Sequence, residues 1–131
     1  KKVVRFVLTG GPCGGKSTAL ATIRARLSRS GFHVITVPEC ATPIFEHSGG
    51  YESSWAGTSQ HVSLQTIILQ TQLAYEDAFI GLSKLRTKPT VIICDRGTLD
   101  GRAFCTDQQW EQVVANAKVS EKVLLQRYDV V

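Results

Sequence analysis

The chain has 131 residues, 43% of them apolar and 20% charged, with a formal net charge of +4. That length predicts one domain with room for a sizeable core, and the composition is that of a globular rather than a disordered chain. No apolar run is long enough to cross a bilayer, so no transmembrane segment is expected.

Val3 to Thr9, VVRFVLT, is rich in β-branched residues and almost wholly apolar, the pattern of a parallel strand covered on both faces. After a glycine-rich turn, Leu20, Ile23 and Leu27 recur at helical spacing from Lys16 to Arg29, and Gly31 is placed as the C-terminal cap. Phe32 to Val37, FHVITV, reads as a second strand. It stops at Pro38, which has no N–H for a ladder. Ala41 to Ser59 has no firm period and three glycines, and reads mainly as a mobile loop with room for a short helical turn.

A long helix is expected next, with Leu64, Ile68, Thr71, Tyr75, Ala78, Leu82 and Leu85 as its core stripe. Thr90 to Asp95, TVIICD, is a third buried strand, entered through Pro89. Beyond it, Asp107 is placed to cap a helix carrying Trp110, Val113 and Val114. Ser120 is placed to cap another carrying Val123 and Leu124. Tyr128 to Val131 looks like the opening of a fourth strand. Strands alternating with helices predict an α/β fold, a parallel sheet flanked by helices. Residues 1–131 are expected to be a single nucleotide-binding domain, an incomplete portion of a longer protein.

The four cysteines, Cys13, Cys40, Cys94 and Cys105, have neither zinc-type nor redox-type spacing. They read as small hydrophobes in a reducing compartment, and a cytoplasmic protein is expected. Arg24, Arg26 and Arg29 form one basic group, and Lys84, Arg86 and Lys88 another. A nucleic-acid surface is one reading, solvated helix faces the other. No aromatic residues interleave with them, so no nucleic-acid partner is expected.

Gly10-x4-Gly15-Lys16-Ser17 fits the G-x-x-x-x-G-K-[ST] phosphate loop, and it lies between a strand and a helix as that loop must. Its glycines let backbone N–H groups face phosphates without Cβ obstruction, and the helix N-terminus adds its positive end. The expected nucleotide contacts are Gly10, Gly11, Pro12, Cys13, Gly14, Gly15, Lys16, Ser17 and Thr18. Lys16 is placed to reach the β- and γ-phosphates and Ser17 to offer its hydroxyl to Mg²⁺. The bland alternative is a turn with a surface lysine. Cys13 is either a reactive thiolate or a small residue chosen for fit.

Two strands end abruptly in charge, at Glu39 after TVP and at Asp95-Arg96 after VIIC. Open α/β sheets bind ligands at the carboxyl ends of their strands, so both are expected to face the nucleotide. A solvated loop charge is the alternative for either one alone. A motor or helicase ATPase follows its third-strand Asp with a water-polarising Glu, whereas the next residue here is Arg96. A switch GTPase needs Asp-x-x-Gly at that strand, and Thr98 stands where the glycine belongs. An acid followed by Arg is instead the pattern of nucleoside and nucleotide kinases.

The blocks VLTGGPCGGKST, VPECAT, LQTQLAYEDA and ICDRGTLDG together resemble the AAA-type P-loop family. That family includes the nicotinamide riboside kinase domain of NadR and the TRP-translocation-defect GTP-binding proteins. The resemblance implies a P-loop NTPase fold with five parallel strands in the order 2-3-1-4-5, and a lid and fifth strand beyond Val131. It implies catalytic roles for Lys16, Glu39, Asp95 and Arg96. Asp95 would hold Mg²⁺ through water, together with Ser17. Glu39 matches an acid that serves as base toward a hydroxyl, and Arg96 would bridge acceptor and phosphoryl group. Asp100 would orient an acceptor or Arg96, or else cap the next helix. Among His47, Tyr51, Trp55 and His61, the two aromatic rings Tyr51 and Trp55 suit stacking on a flat acceptor, or packing back onto the core.

The expected function is ATP- or GTP- and Mg²⁺-dependent transfer of phosphoryl to a small nucleoside-type hydroxyl. The alternative is a regulatory nucleotide-binding module that acts through protein or membrane partners and phosphorylates nothing.

Overall fold

A computed structural model describes residues 3–8 and 15–129, with residues 15–17 described by their helical backbone. Three strands, β1 (Val3–Leu8), β2 (His33–Val37) and β3 (Thr90–Asp95), form a parallel sheet in the order β1-β3-β2. Leu8 lies opposite Asp95 and Val37 opposite Cys94, so all three carboxyl ends meet at one end of the sheet. This is the 2-3-1 part of the expected order, and strands four and five are not among the described residues. At Asp129 the chain returns beside β1: its N–H donates to the Arg5 carbonyl at 2.8 Å, and the Arg5 N–H donates to its carboxylate at 2.8 Å.

The chain divides into two compact units, Lys1–Pro38 with Glu76–Gly97 and Arg127–Val131, and Glu39–Tyr75 with Thr98–Gln126. The first holds the sheet and α1 (Gly15–Arg29). Residues 91–94 of β3 are buried throughout, but β1 and β2 are half-buried apart from Val7 and Val37. Burial on both faces was expected of β1 as well. Among the described strands only β3 has a neighbour on each side, and that position shields it. α1 ends as its glycine predicts. Gly31 takes φ of 91°, and the Phe32 N–H reaches back to the Leu27 carbonyl at 3.1 Å.

The second unit is helical. The stretch expected to be mainly a loop forms α2 (Ala41–Ser48) and a 3-10 turn at Ser53–Trp55. Its weak period hid a helix bounded by other means: Gly49, at φ of 97°, ends it in the left-handed region. The unit continues with α3 (Ser59–Ser83), whose residues from Glu76 onward belong to the first unit, then a 3-10 helix (Asp100–Phe104), α4 (Asp107–Asn116) and α5 (Glu121–Leu125). Its core is Val62, Leu69, Trp110, Val113 and Leu124.

Three expectations about this region are corrected. Thr106, not Asp107, caps α4; its hydroxyl accepts from the Gln109 N–H while the Gln109 side chain accepts from the Thr106 N–H. Ser120 caps α5 as expected, but Val123 on that helix is half exposed and only Leu124 is buried. The stripe on α3 is displaced. Leu82 and Leu85 lie 50% and 78% exposed, whereas the buried line runs through Val62, Thr66, Leu69, Gln72, Glu76 and Ser83. Counting only apolar residues misplaced the face, because five of the seven buried positions on α3, Gln65 among them, carry polar side chains.

Candidate functional site

β1 ends at Leu8 and leads toward the glycine-rich loop, while β3 ends beside it at Asp95. The Arg96 N–H donates to the Leu8 carbonyl at 2.8 Å, tying the two strand ends together. Arg96 holds φ of 68°, the left-handed region that a long side chain rarely adopts. Such a conformation costs roughly 1–2 kcal/mol and persists where surroundings enforce it, which is common at functional sites.

Part of that enforcement is visible at Gly97. A Cβ there would stand 2.7 Å from Val7 Cγ2 and 3.0 Å from the Tyr128 hydroxyl, so any larger residue forces a neighbour to move. Tyr128 is itself fixed, donating its hydroxyl to Glu76 at 2.6 Å. Glu76 is 2% exposed and also accepts from Arg127 Nε at 3.0 Å, while Arg127 reaches Asp77 at 2.7 Å. Burial alone would lower the Arg127 pKa, but its bonds to Asp77 and Glu76 more than offset that and raise it. Cys94, on β3 directly before Asp95, is pushed up to about 12. Burial is the main cause, and the Glu76 charge adds to it. A buried thiol held in its protonated form is a poor nucleophile, which suits the reading of this cysteine as a small hydrophobe.

The Glu76–Arg127–Tyr128 cluster was not read from the sequence. One signal was available: Glu76 falls in register with Val62 and Leu69 on α3, and a carboxylate on a buried face requires a partner.

Of the expected phosphate contacts, Gly10, Gly11, Pro12, Cys13 and Gly14 lie outside the described residues. Gly15, Lys16 and Ser17 form the first turn of α1, and Thr18 follows, exposed. No acidic residue stands in that turn, so no carboxylate competes with an anion for its free N–H groups. Basic Arg26 and Arg29 complement the dipole at the other end. Asp95 is a hard oxygen donor, and a carboxylate suits Mg²⁺, which keeps several waters and takes phosphate oxygens. This described carboxylate fits the expected ion, while the Ser17 side chain lies outside the described residues.

In the second unit, Glu39 follows β2 by two residues and is already occupied. One carboxylate oxygen accepts the Thr42 N–H at 3.0 Å and the other the Thr42 hydroxyl at 2.6 Å. It thereby satisfies a free donor of α2. A carboxylate offers about four acceptor positions, so capacity remains for a further proton donor. Asp100 opens a 3-10 helix whose N-cap is Leu99, and Thr106 caps α4, so Asp100 caps neither. Tyr51 and Trp55 meet edge to face at 5.5 Å. His61 Nε2 lies 2.7 Å from the Phe104 carbonyl and must donate to it, which leaves Nδ1 to accept from the Tyr51 hydroxyl at 3.1 Å. The two rings pack on each other, and Tyr51 remains 42% exposed. His47 is exposed in the last turn of α2.

Cys40 and Cys94 are buried and Cys105 is half-buried; all three are free thiols. No described helix is long and apolar enough to cross a membrane.

Comparison with known families gives one result: a family model described as an AAA domain matches residues 5–131. No curated protein and no solved structure matches the chain.

Proposed function

The chain belongs to the AAA-domain family and is a nucleotide-binding P-loop protein, and on that premise we propose that it is a kinase of small nucleoside-type hydroxyl acceptors. The observation that carries this reading is the Asp95–Arg96 turn, bonded through its backbone to the strand that enters the phosphate loop. An acid with an adjacent cation, and no glutamate to activate water, suits transfer to an acceptor better than hydrolysis. The resemblance to the NadR kinase domain and the TRP-translocation-defect proteins supports the same direction and belongs to this proposal.

In it, backbone N–H groups of the glycine loop and the start of α1 bind the β- and γ-phosphates of ATP or GTP, and Lys16 reaches the same oxygens. Ser17 and Asp95 would hold Mg²⁺, which when bound neutralises charge on the bridging oxygens. Arg96 carries the positive charge toward the transferring group. Glu39 accepts the hydrogen bond of the acceptor hydroxyl and orients it. Positioning and charge outweigh proton abstraction in this chemistry, so Glu39 contributes mainly alignment. A cytoplasmic location completes the proposal, supported by the free thiols.

Glu39→Gln separates these parts, because glutamine still accepts the Thr42 N–H and preserves the start of α2. Nucleotide affinity, read by thermal shift with Mg²⁺, should stay within about twofold of wild type. Phosphoryl transfer to a panel of nucleosides, including nicotinamide riboside, should drop by about 10²-fold or more, measured by mass spectrometry. A wild-type chain that binds nucleotide yet phosphorylates no nucleoside would sink the kinase reading and leave the regulatory one.

A further inference from the structure

β2 flanks the described sheet: β3 pairs with one of its edges, and no described strand takes the other. Beside it lies a groove of about 430 Å³, formed by Ile35 of β2 with Phe79, Leu82 and Leu85 at the end of α3, and edged by His33 and Arg86. Leu82 is 50% exposed and Leu85 78% exposed. Large apolar side chains left in water around a concavity mark an interaction surface more often than a passive one.

Charge says what kind of partner. Residues 30–38 and 78–94, which line the groove or lead into it, contain no aspartate or glutamate. They do carry Lys84, Arg86 and Lys88, all exposed. Phosphate binding does not explain this charge, since these three residues follow α3 and lead into the amino end of β3, at the opposite end of the strands from Asp95.

We propose that this face docks an extended acidic peptide segment of a partner protein, laid along β2. Such a segment answers all three features together. Its backbone pairs with the edge of β2 that no described strand takes, alternate apolar side chains enter the groove at Leu82 and Leu85, and its carboxylates meet Lys84, Arg86 and Lys88. A lipid surface would meet the charge but has no backbone for a strand edge. A nucleic-acid strand would need exposed rings for stacking, and Phe79 is half-buried. The inference is independent of the kinase reading, because it uses no residue of the phosphate site.

The test is selection of a displayed random library of peptides about twelve residues long on the chain. The Leu85→Asp, Arg86→Glu double variant serves for counter-selection. Both positions are exposed, so the variant should melt within a degree or two of wild type, and Arg86→Glu alone provides a second comparison. Enriched peptides should carry Asp or Glu with apolar residues at alternating positions. By fluorescence anisotropy they should bind the double variant about tenfold more weakly, bind Arg86→Glu more weakly than wild type, and weaken as salt rises. Failure to enrich any peptide over the counter-selection, or enriched peptides without acidic residues, overturns the proposal. So does equal affinity for the double variant. Vesicles of phosphatidylcholine and phosphatidylserine, and sedimentation of the chain alone, complete the test. Vesicle binding or self-association that the substitutions abolish, with no acidic peptide enriched, would reassign the face to lipid or to a second copy and equally overturn it.

Discussion

The two units of this chain solve burial differently. The helical unit closes on an apolar cluster in which Trp110 is 3% exposed and Val113 and Leu124 are fully covered. The sheet unit buries Val91 to Cys94 of β3 but also a full carboxylate, Glu76, held by Arg127 and Tyr128. An apolar core gains stability from area removed from water and tolerates small shifts. A buried ion pair gains little net stability over an apolar replacement, yet breaking it is costly, because one charge is left without its partner. The sheet unit therefore depends on a single contact more sharply than its neighbour does, and that contact lies behind the turn carrying Asp95 and Arg96.

The largest expected effect tests this dependence. Glu76→Ala leaves a largely buried Arg127 with only the exposed Asp77 and takes the acceptor from the Tyr128 hydroxyl, and should cost about 3 kcal/mol, read as a lower urea midpoint. Replacing both Glu76 and Arg127 by apolar residues of similar size should recover most of that loss. If the single and double variants unfold alike, the ion pair is not what holds the unit. Gly97→Ala comes next, because its Cβ would collide with Val7 and the Tyr128 hydroxyl. A penalty of about 1–3 kcal/mol is expected, with weaker nucleotide binding as the turn is displaced. An unchanged melting temperature in that variant would show that the packing beneath the turn yields freely.

In the helical unit, Thr106→Ala removes half of a capping box and should cost about 1 kcal/mol, with Thr106→Ser restoring most of it. The last effect belongs to Cys94 and is seen only in alkali, so at neutral pH it is the smallest. This thiol ionises near 9 when unfolded and near 12 when folded. Its favourable contribution is complete below pH 9 and is lost as pH climbs toward 12, since the unfolded state releases its proton first. Cys94→Ala should flatten the stability profile in that window only. Alkylation mapped by mass spectrometry should likewise reach half-buried Cys105 before Cys94.

The legible parts of the molecule were those whose signals are local. VVRFVL, HVITV and TVIICD became the three strands within a residue of their apolar runs. Gly31 ended α1 through its own φ, and Ser120 capped α5 through a hydroxyl three residues from its donor. Less legible were elements whose boundaries depend on side chains that can bond in several ways. Glu39 looked like a site residue and proves also to start α2 by binding Thr42, which no period within Ala41 to Ser59 announces. Thr106 and Asp107 both suit a cap. The choice fell to Thr106, because Gln109 sits three residues on to complete the box.

The sequence by itself determined the α/β alternation, the phosphate-loop pattern and the strand-end positions of Glu39, Asp95 and Arg96. Each follows from spacing along the chain: β-branched runs, a glycine turn before a helix, charge immediately after an apolar strand. Only the tertiary structure decided that Glu76 is buried, that Gly97 is closely packed by Val7 and Tyr128, and that Leu82 and Leu85 stand outside the core. The partners responsible are distant in sequence, Arg127 lying 51 residues and Tyr128 52 residues from Glu76. Periodicity says which residues share a face of a helix; what packs against that face depends on contacts between segments far apart in the chain.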